Sequence, residues 1–453
     1  MEAWVVKTSE MLAGDNSNGR LLRSGLIAQL LERRGHRVTW WMSTFDHANR
    51  RQREPGDSSR AFGSNGIIRM ISSPGYEGSI SARRLLDHRI WGRRFARAIE
   101  TSPAPDVILC AYPTIESASV CARYGLERGI PVVVDLRDMW PDIFLEAAPG
   151  MLRPFALAGG WSLRASARGA LRQATALFGI TDEFLAWGLE LAGRSRSNLD
   201  RAFPLAYPDP RARAVTLEER RESAEYWDRL GVRSDSAFNV VVIGAMTKRR
   251  YEMNSVLEAA RELVAERRPV QFVIVGDGDD LPEYALAAQG CPNVLFPGWL
   301  GMSRIQELLS RAHLGLVPYR STPDLVISIP NKVGEYLAHG VPVVTCLRGT
   351  LARLLRERGC GMSYDPSDPE SLARIVRSLR DDEALLANLR ASSRKVFEED
   401  LSAEKVYTRL ADQLEEIAVS CRKPRRSHRG LRPFSSDTRA DEDSELRRRT
   451  SRP

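Results

Sequence analysis

The sequence predicts an α/β chain of two separate Rossmann-like domains, and three observations carry that reading. Short apolar runs alternate with helical stretches from residue 3 to about residue 208. A charged stretch, 209–236, interrupts the series, and the same alternation starts again at Phe238. At 453 residues the chain is too long for one ordinary core.

In the first series, Ala3–Val6 reads as a strand, followed by a polar loop, Gly14–Arg20. A helix with Leu22, Leu26, Ile27, Leu30 and Leu31 on one face follows and ends at Gly35. His36–Trp41 restarts a strand that runs out through Thr44-Phe45-Asp46-His47. The glycines do not fit G-x-G-x-x-G, so nothing calls for a dinucleotide. Residues 49–66 are polar and Arg-rich and read as a mobile loop, whose charges are either a solvated surface or an acceptor contact. Pro105–Cys110, a helix and Pro131–Asp135 form another strand–helix–strand unit. It discharges into Asp135-Leu136-Arg137-Asp138-Met139-Trp140-Pro141-Asp142, at the carboxyl end of a strand, where open α/β sheets place ligands. Residues 150–175 mix Leu152, Phe155, Leu157, Trp161 and Leu163 with Arg153, Arg164, Arg168 and Arg172. That pattern is a buried helix face with a solvated rim, or a membrane-surface contact.

The second series holds Phe238–Gly244, a basic Lys248-Arg249-Arg250, Gln271–Val275 ending in Gly276-Asp277-Gly278-Asp279-Asp280, Asn293–Phe296 and Leu314–Pro318. Asp277-Gly278-Asp279 has the look of a metal-binding D-x-D, but here it closes a strand and reads as a tight turn; no metal is expected. Asp368–Leu379, Asp382–Phe397 and Ala403–Val419 read as helices, the last able to cross back to the first domain. Domains are therefore expected at 1–213 and 237–400, with a linker at 214–236, a crossing helix at 401–420 and a disordered basic tail at 421–453.

Residues 422–452 hold eleven Lys/Arg against five Asp/Glu, so +6 of the formal +8 lies in the tail. The remainder is near neutral, which argues against nucleic acid as a partner. Six cysteines without a Cys-x-x-Cys pair fit reduced thiols in a cytoplasmic protein and offer no zinc site. Met1 leads straight into a strand, so no signal peptide is expected, and no apolar run approaches the roughly 20 residues of a membrane span.

The most informative stretch is Asp324–Val344, DLVISIPNKVGEYLAHGVPVV. Pro330 suits a helix start. The free N–H groups of the following turn, the macrodipole and Lys332 make an anion site around Ser328, Ile329, Pro330 and Asn331. Glu335 follows about one turn on, placed to grip vicinal hydroxyls. Gly340 ends the helix, and Val341-Pro342-Val343-Val344 returns as a buried strand.

These residues, with Val275-Gly276-Asp277-Gly278, Pro297-Gly298-Trp299-Leu300, Asp135–Asp142 and Arg34-Gly35-His36-Arg37-Val38, resemble a GT-B-fold glycosyltransferase of the large retaining family often called family 4. The subgroup they are most similar to makes bacterial surface polysaccharides. The resemblance implies two Rossmann-like domains facing a cleft, with the acceptor on the first and a UDP- or GDP-linked sugar on the second as substrate, and no separate cofactor. Glu335 matches the second glutamate of the family's pair, which binds the donor ribose. Lys248, with Arg250 as the neighbouring candidate, matches the basic residue that neutralises the diphosphate, and Gly19 matches a close backbone approach to it. The first glutamate of the pair falls on Ile327, which puts the sugar and the retaining outcome in question. On the acceptor side His47, Asp138 and Asp142 face the cleft, and Asp138 is the choice for orienting or deprotonating the acceptor hydroxyl. Arg137 could instead hold Asp138 as a structural pair.

The function implied is transfer of a sugar to a lipid-linked or glycan acceptor, by an enzyme that is cytoplasmic or peripheral on the inner membrane face. Two rivals use the same cleft: a nucleotide-sugar epimerase or hydrolase, and a non-catalytic nucleotide-sugar-binding protein, which Ile327 keeps open.

Overall fold

The computed structural model describes all residues except 13–14, 16–20, 79–80, 144–152, 213–214, 265, 267–268 and 422–453; in the helix Arg153–Gln173 side chains are described from residue 160 on. Gly19 and the basic tail thus lie outside the described residues.

The first sheet has eight strands in the spatial order Arg201–Ala202, Ala176–Gly179, Val132–Leu136, Val107–Tyr112, Glu2–Val6, Arg37–Ser43, Gly66–Ile71 and Ser58–Phe62. All pairings are parallel except the last. Successive side chains of a strand point to opposite faces, so a strand covered on both faces is apolar throughout. In Glu2–Val6, Trp4 and Val6 enter one core while Ala3 and Val5 enter the other. Trp4 stacks on Tyr124 at 5.3 Å and meets Trp41 edge-on at 5.4 Å.

The core on the Ala3 side is closed by the crossing helix Ala403–Ser420, through Val406, Tyr407, Leu410, Leu414 and Ile417. Arg34 and His36 hold Glu415 on that helix at 2.8 and 2.9 Å. The second sheet has six parallel strands, ordered Val294–Gly298, Val270–Val275, Phe238–Ile243, Leu314–Val317, Val343–Thr345 and Gly361–Ser363. Both connections between the domains pass one point: Tyr207 N–H donates to Leu401 O at 2.9 Å, and Ala403 N–H donates to Tyr207 O at 2.9 Å.

Two expectations are corrected. Of the expected linker 214–236, the described residues 215–236 are not a linker but part of the second domain. Thr216 and Glu219 form a capping box for the helix Leu217–Arg229, and Trp227, fully buried, donates its indole N–H to Arg304 O at 2.8 Å. Ser223 and Trp227 are its buried residues, so the charged surface hides the inward stripe in the sequence. Trp227→Ala is expected to destabilise the second domain by about 3–5 kcal/mol in a urea titration; a change near zero would return the stretch to linker status.

Residues 49–66 also carry defined structure. Arg51–Gln52 pairs with Phe45–Asp46, and Ser58–Phe62 forms the antiparallel edge strand. Arg53 is neither a solvated charge nor an acceptor contact: it is buried, grips Asp15 at 2.9 and 2.8 Å, and donates to Glu10 O.

Candidate active site

The cleft lies between the carboxyl ends of the two sheets, where parallel strands end and helix N-termini begin. In the second domain, the strand Phe238–Ile243 ends at Gly244, in a backbone conformation (φ 149°) that favours glycine. A side chain there would collide with its neighbours: a Cβ would sit 2.0 Å from the Tyr251 hydroxyl and 2.5 Å from Lys332 Nζ.

Lys332 belongs to the helix Asn331–Ala338 and is only 8% exposed. Its ammonium donates to the Tyr251 hydroxyl and lies 4.7 and 4.4 Å from the ring centres of Tyr251 and Tyr319. The two rings meet edge-on at 4.7 Å, with hydroxyls 3.3 Å apart. Among the described residues no carboxylate pairs with Lys332. Ring faces and a hydroxyl stabilise the cation but leave its charge uncompensated. Burial pushes the Tyr251 phenol well up. At Tyr319 burial also acts upward, but the Lys332 ammonium overrides it and holds the phenol below its ordinary value. Tyr336 locks this helix to the strand, its hydroxyl accepting from Ile243 N–H at 2.9 Å and donating to Val241 O at 3.1 Å.

Glu335, buried, accepts from the Tyr207 hydroxyl at 3.0 Å. Lys248 lies outside this cage: it is 54% exposed and paired with Glu283. The Arg250 guanidinium is 3.7 Å from Asp324. Arg320, unremarked in the sequence, ties the loop down by donating to Lys248 O and Tyr251 O at 2.9 and 3.1 Å. Pro330 is the residue just before the helix, the Ser328 hydroxyl is spent on Leu325 O at 3.1 Å, and Ile329 packs on the core. The carbonyl of Ile327 accepts from the Thr181 hydroxyl at 2.7 Å, a direct contact between the domains. No group of three or more metal-ligating side chains exists among the described residues.

In the first domain Asp138 is half-buried and accepts its neighbour's N–H, Met139, at 2.8 Å. Burial raises its carboxyl above the ordinary range, and nearby Asp324 adds to the rise while Arg250 opposes it. Arg137 does not hold Asp138. It turns to Asp135 at 2.7 Å, Ser24 at 2.9 Å and Glu10 at 3.3 Å. Asp135 is buried but also gripped by Arg23 at 2.9 and 2.8 Å, and despite its burial the two guanidiniums hold it down to about 2. Arg23 reaches on to Phe203 O and Pro204 O, both at 2.9 Å, fastening the chain's exit from the domain.

Asp142 is engaged structurally, accepting from Arg164 and, at 3.0 Å, from the Trp187 indole. His47 meets the Tyr76 hydroxyl at 2.9 Å. A cavity of about 560 Å³ opens near the domain connection, lined among others by Lys7, Arg23, Tyr207, Gln306, Asn331 and Tyr407.

Among the described residues four histidines are held neutral, chiefly by burial: His339, lowered below its ordinary value, with His47 at about 4, His88 at about 3 and His313 at about 4. Their unfolded value is near 6.5, so the unfolded chain takes up more protons on acidification. This contribution to stability is complete above about pH 6.5 and is lost as pH falls toward 4, and for His88 toward 3. The urea midpoint is expected to drop over that window, with a shallower fall in His88→Gln; a flat profile would contradict it.

Two Rossmann-like sheets facing a cleft, with a caged cation at one strand end and a carboxylate a turn away, define a GT-B architecture. Residues 23–199 match the family described as "Glycosyl transferase 4-like domain", and residues 237–382 match "Glycosyl transferases group 1". The chain belongs to the GT-B glycosyltransferases. A 93-residue stretch is 34% identical to Glucosyltransferase 3 of Streptococcus gordonii, covering 19% of this chain and 27% of that protein. The fold resembles sucrose-phosphate synthase from Thermosynechococcus elongatus (TM-score 0.69, 14% identity, 92% of this chain and 99% of that one). It also resembles Anabaena HepE in complex with UDP-glucose (0.61, 14%, 92% and 100%) and WaaG, a glycosyltransferase involved in lipopolysaccharide biosynthesis (0.61, 17%, 91% and 99%).

Proposed function

We propose that the chain transfers a sugar from a nucleoside-diphosphate sugar, UDP-linked in the first instance, to a lipid-linked or glycan acceptor in surface polysaccharide synthesis, with retention. The observation that carries this reading is the Lys332 ammonium, held against Gly244 without a carboxylate partner among the described residues and followed one turn later by Glu335. A diphosphate over Gly244 would supply the missing negative charge. Lys332 and the N–H groups opening the helix then stabilise it as the leaving group when the bond from the anomeric carbon to the phosphate oxygen breaks. Glu335 would take the ribose hydroxyls in place of the Tyr207 hydroxyl. Asp138 would orient the acceptor hydroxyl, and its raised carboxyl suits a proton acceptor better than an ordinary aspartate. The complex of HepE with UDP-glucose favours UDP as the nucleotide to try first.

The membrane side of the proposal rests on the helix Arg153–Gln173, where Trp161 is 76% exposed. Arg89, Arg93 and Arg123 line a depression beside it. An exposed tryptophan on the same helix as Ser162, Leu163 and Ser166, which line that depression with the three arginines and Glu116, suits an anionic lipid surface. No helix among the described residues is long and apolar enough to cross a membrane.

The test is incubation with radiolabelled UDP- and GDP-sugars, with and without a membrane extract. Label moved into lipid or glycan only with membranes is the expected result, and the anomeric coupling of the product checks retention. Donor altered without membranes would favour an epimerase or hydrolase, and binding without turnover a scaffold.

A further inference from the structure

We infer that Asp324 selects the donor sugar: its carboxylate, on the second domain and facing Asp138 on the first, binds hydroxyls of an uncharged sugar held between the diphosphate and the acceptor. The inference rests on the transferase reading above and adds the class of sugar to it. Asp324 lies in the short helix Pro323–Val326, between the strand Leu314–Val317 and the helix Asn331–Ala338. This segment is seated on three sides. Leu325 is buried in the core of the second domain. The carbonyl of Val326 rests on Gly349 (φ 87°), where a Cβ would come within 2.1 Å of it. The carbonyl of Ile327 accepts from the Thr181 hydroxyl of the first domain at 2.7 Å. Asp324 therefore stands three residues from a contact across the cleft. It is the only carboxylate from Thr322 to Asn331, and the Ile327 side chain has no polar group to offer a sugar.

The two carboxylate oxygens are used differently. Oδ1 accepts from the Thr322 hydroxyl at 2.6 Å, which fixes the side chain. Oδ2 lies 3.7 Å from the Arg250 guanidinium, beyond hydrogen-bond distance, and accepts no hydrogen bond among the described residues. The side chain is 12% exposed, so it is held by its neighbours and still reached from the cleft. A carboxylate anchored through one oxygen keeps lone pairs free on the other, and hydroxyl donors to a charged acceptor make strong hydrogen bonds.

The order of groups across the cleft places a sugar here. Arg250 directly precedes Tyr251, whose hydroxyl accepts from Lys332, and its charge reaches the phenols of both Tyr251 and Tyr319. On its other side Arg250 reaches Asp138, and so does Asp324. The series is thus Glu335, Lys332, Arg250 with Asp324, and then Asp138. A sugar that hangs by its anomeric carbon from a diphosphate at Lys332, and meets a hydroxyl held by Asp138, passes Asp324. The charge at that point favours a neutral ring. Arg250 is the cation shared by Asp324 and Asp138, while Lys7, which also acts on Asp138, faces Glu10 and Asp135 as well. An acidic sugar would bring a third carboxylate against one guanidinium, whereas a neutral sugar brings hydroxyl donors to Oδ2.

The test is calorimetric titration of the full chain, wild type, Asp324→Asn and Asp324→Glu, with whichever nucleotide binds, UDP or GDP, and then with its sugars. The neutral sugars are glucose, galactose and N-acetylglucosamine on UDP or mannose on GDP, and the acidic ones are glucuronate or mannuronate. The bare nucleotide is expected to bind all three proteins alike. Wild type should prefer its best neutral sugar over the acidic one by about tenfold or more. Asp324→Asn should lose about tenfold in affinity for that neutral sugar relative to the bare nucleotide and narrow the gap to the acidic one, with Asp324→Glu in between. Wild type that binds the acidic sugar as tightly as the neutral ones would overturn the inference, and this outcome needs no variant to fold. So would an Asp324→Asn protein that binds the bare nucleotide normally and keeps the wild-type sugar ratios. Failure of wild type to bind either nucleotide would instead remove the donor reading, and this inference with it.

Discussion

Replacing Lys332 with methionine is expected to lower kcat/KM for donor transfer by about 10²–10³-fold, the range seen when one preorganised stabiliser of a developing anion is removed. Methionine has similar length and fills the tyrosine cage, so the fold should survive and the loss should fall on the diphosphate. Lys248→Met provides the contrast. Lys248 is exposed and already paired with Glu283, and such a surface charge is worth at most about 1 kcal/mol, roughly fivefold in rate. Steady-state kinetics on both variants checks the pair. Equal losses would mean that Lys248 leaves Glu283 to act on the diphosphate.

The second large effect is expected at Glu335. Glu335→Gln keeps the shape but removes the charge, and hydrogen bonds to charged groups contribute about 1.5–3 kcal/mol, so UDP affinity should fall roughly 10- to 150-fold by calorimetry. Tyr207→Phe should do the opposite, leaving UDP affinity unchanged or tighter, because the Tyr207 hydroxyl competes with the ribose for that carboxylate. Tyr207 also lies where both connections between the domains cross. An occupied ribose site would therefore break a bond that joins the donor helix to the hinge, a local route from donor binding to domain movement.

The sequence carried the fold further than the site. Strands buried on both faces announce themselves as apolar runs, and Ala3–Val6 and Phe238–Ile243 were legible for that reason. The crossing helix was legible from its long apolar stripe. The stretch 214–236 was not, since two inward residues among charges leave no periodic signal. Residues 49–66 were misread because Arg53 looks like any surface arginine until Asp15 is placed against it.

In the site, Lys332 and Lys248 are equally basic in the sequence; burial beside Gly244 distinguishes them, and burial is a product of the fold. The same holds for Asp135 and Asp138, three residues apart. One is neutralised by Arg23 and Arg137, and the other keeps a raised carboxyl facing the second domain. Tyr251, Tyr319, Arg23 and Arg320 gave no warning, because a tyrosine or arginine in a strand-end loop has no spacing signature of its own.

The placement of the donor nucleotide on the second domain is tested most directly by hydrogen exchange with and without UDP. Protection is expected at 243–251 and 328–336, where Gly244, the Lys332 cage and Glu335 meet, with the first sheet unchanged. Protection confined to the first domain, or none at saturating UDP, would contradict it.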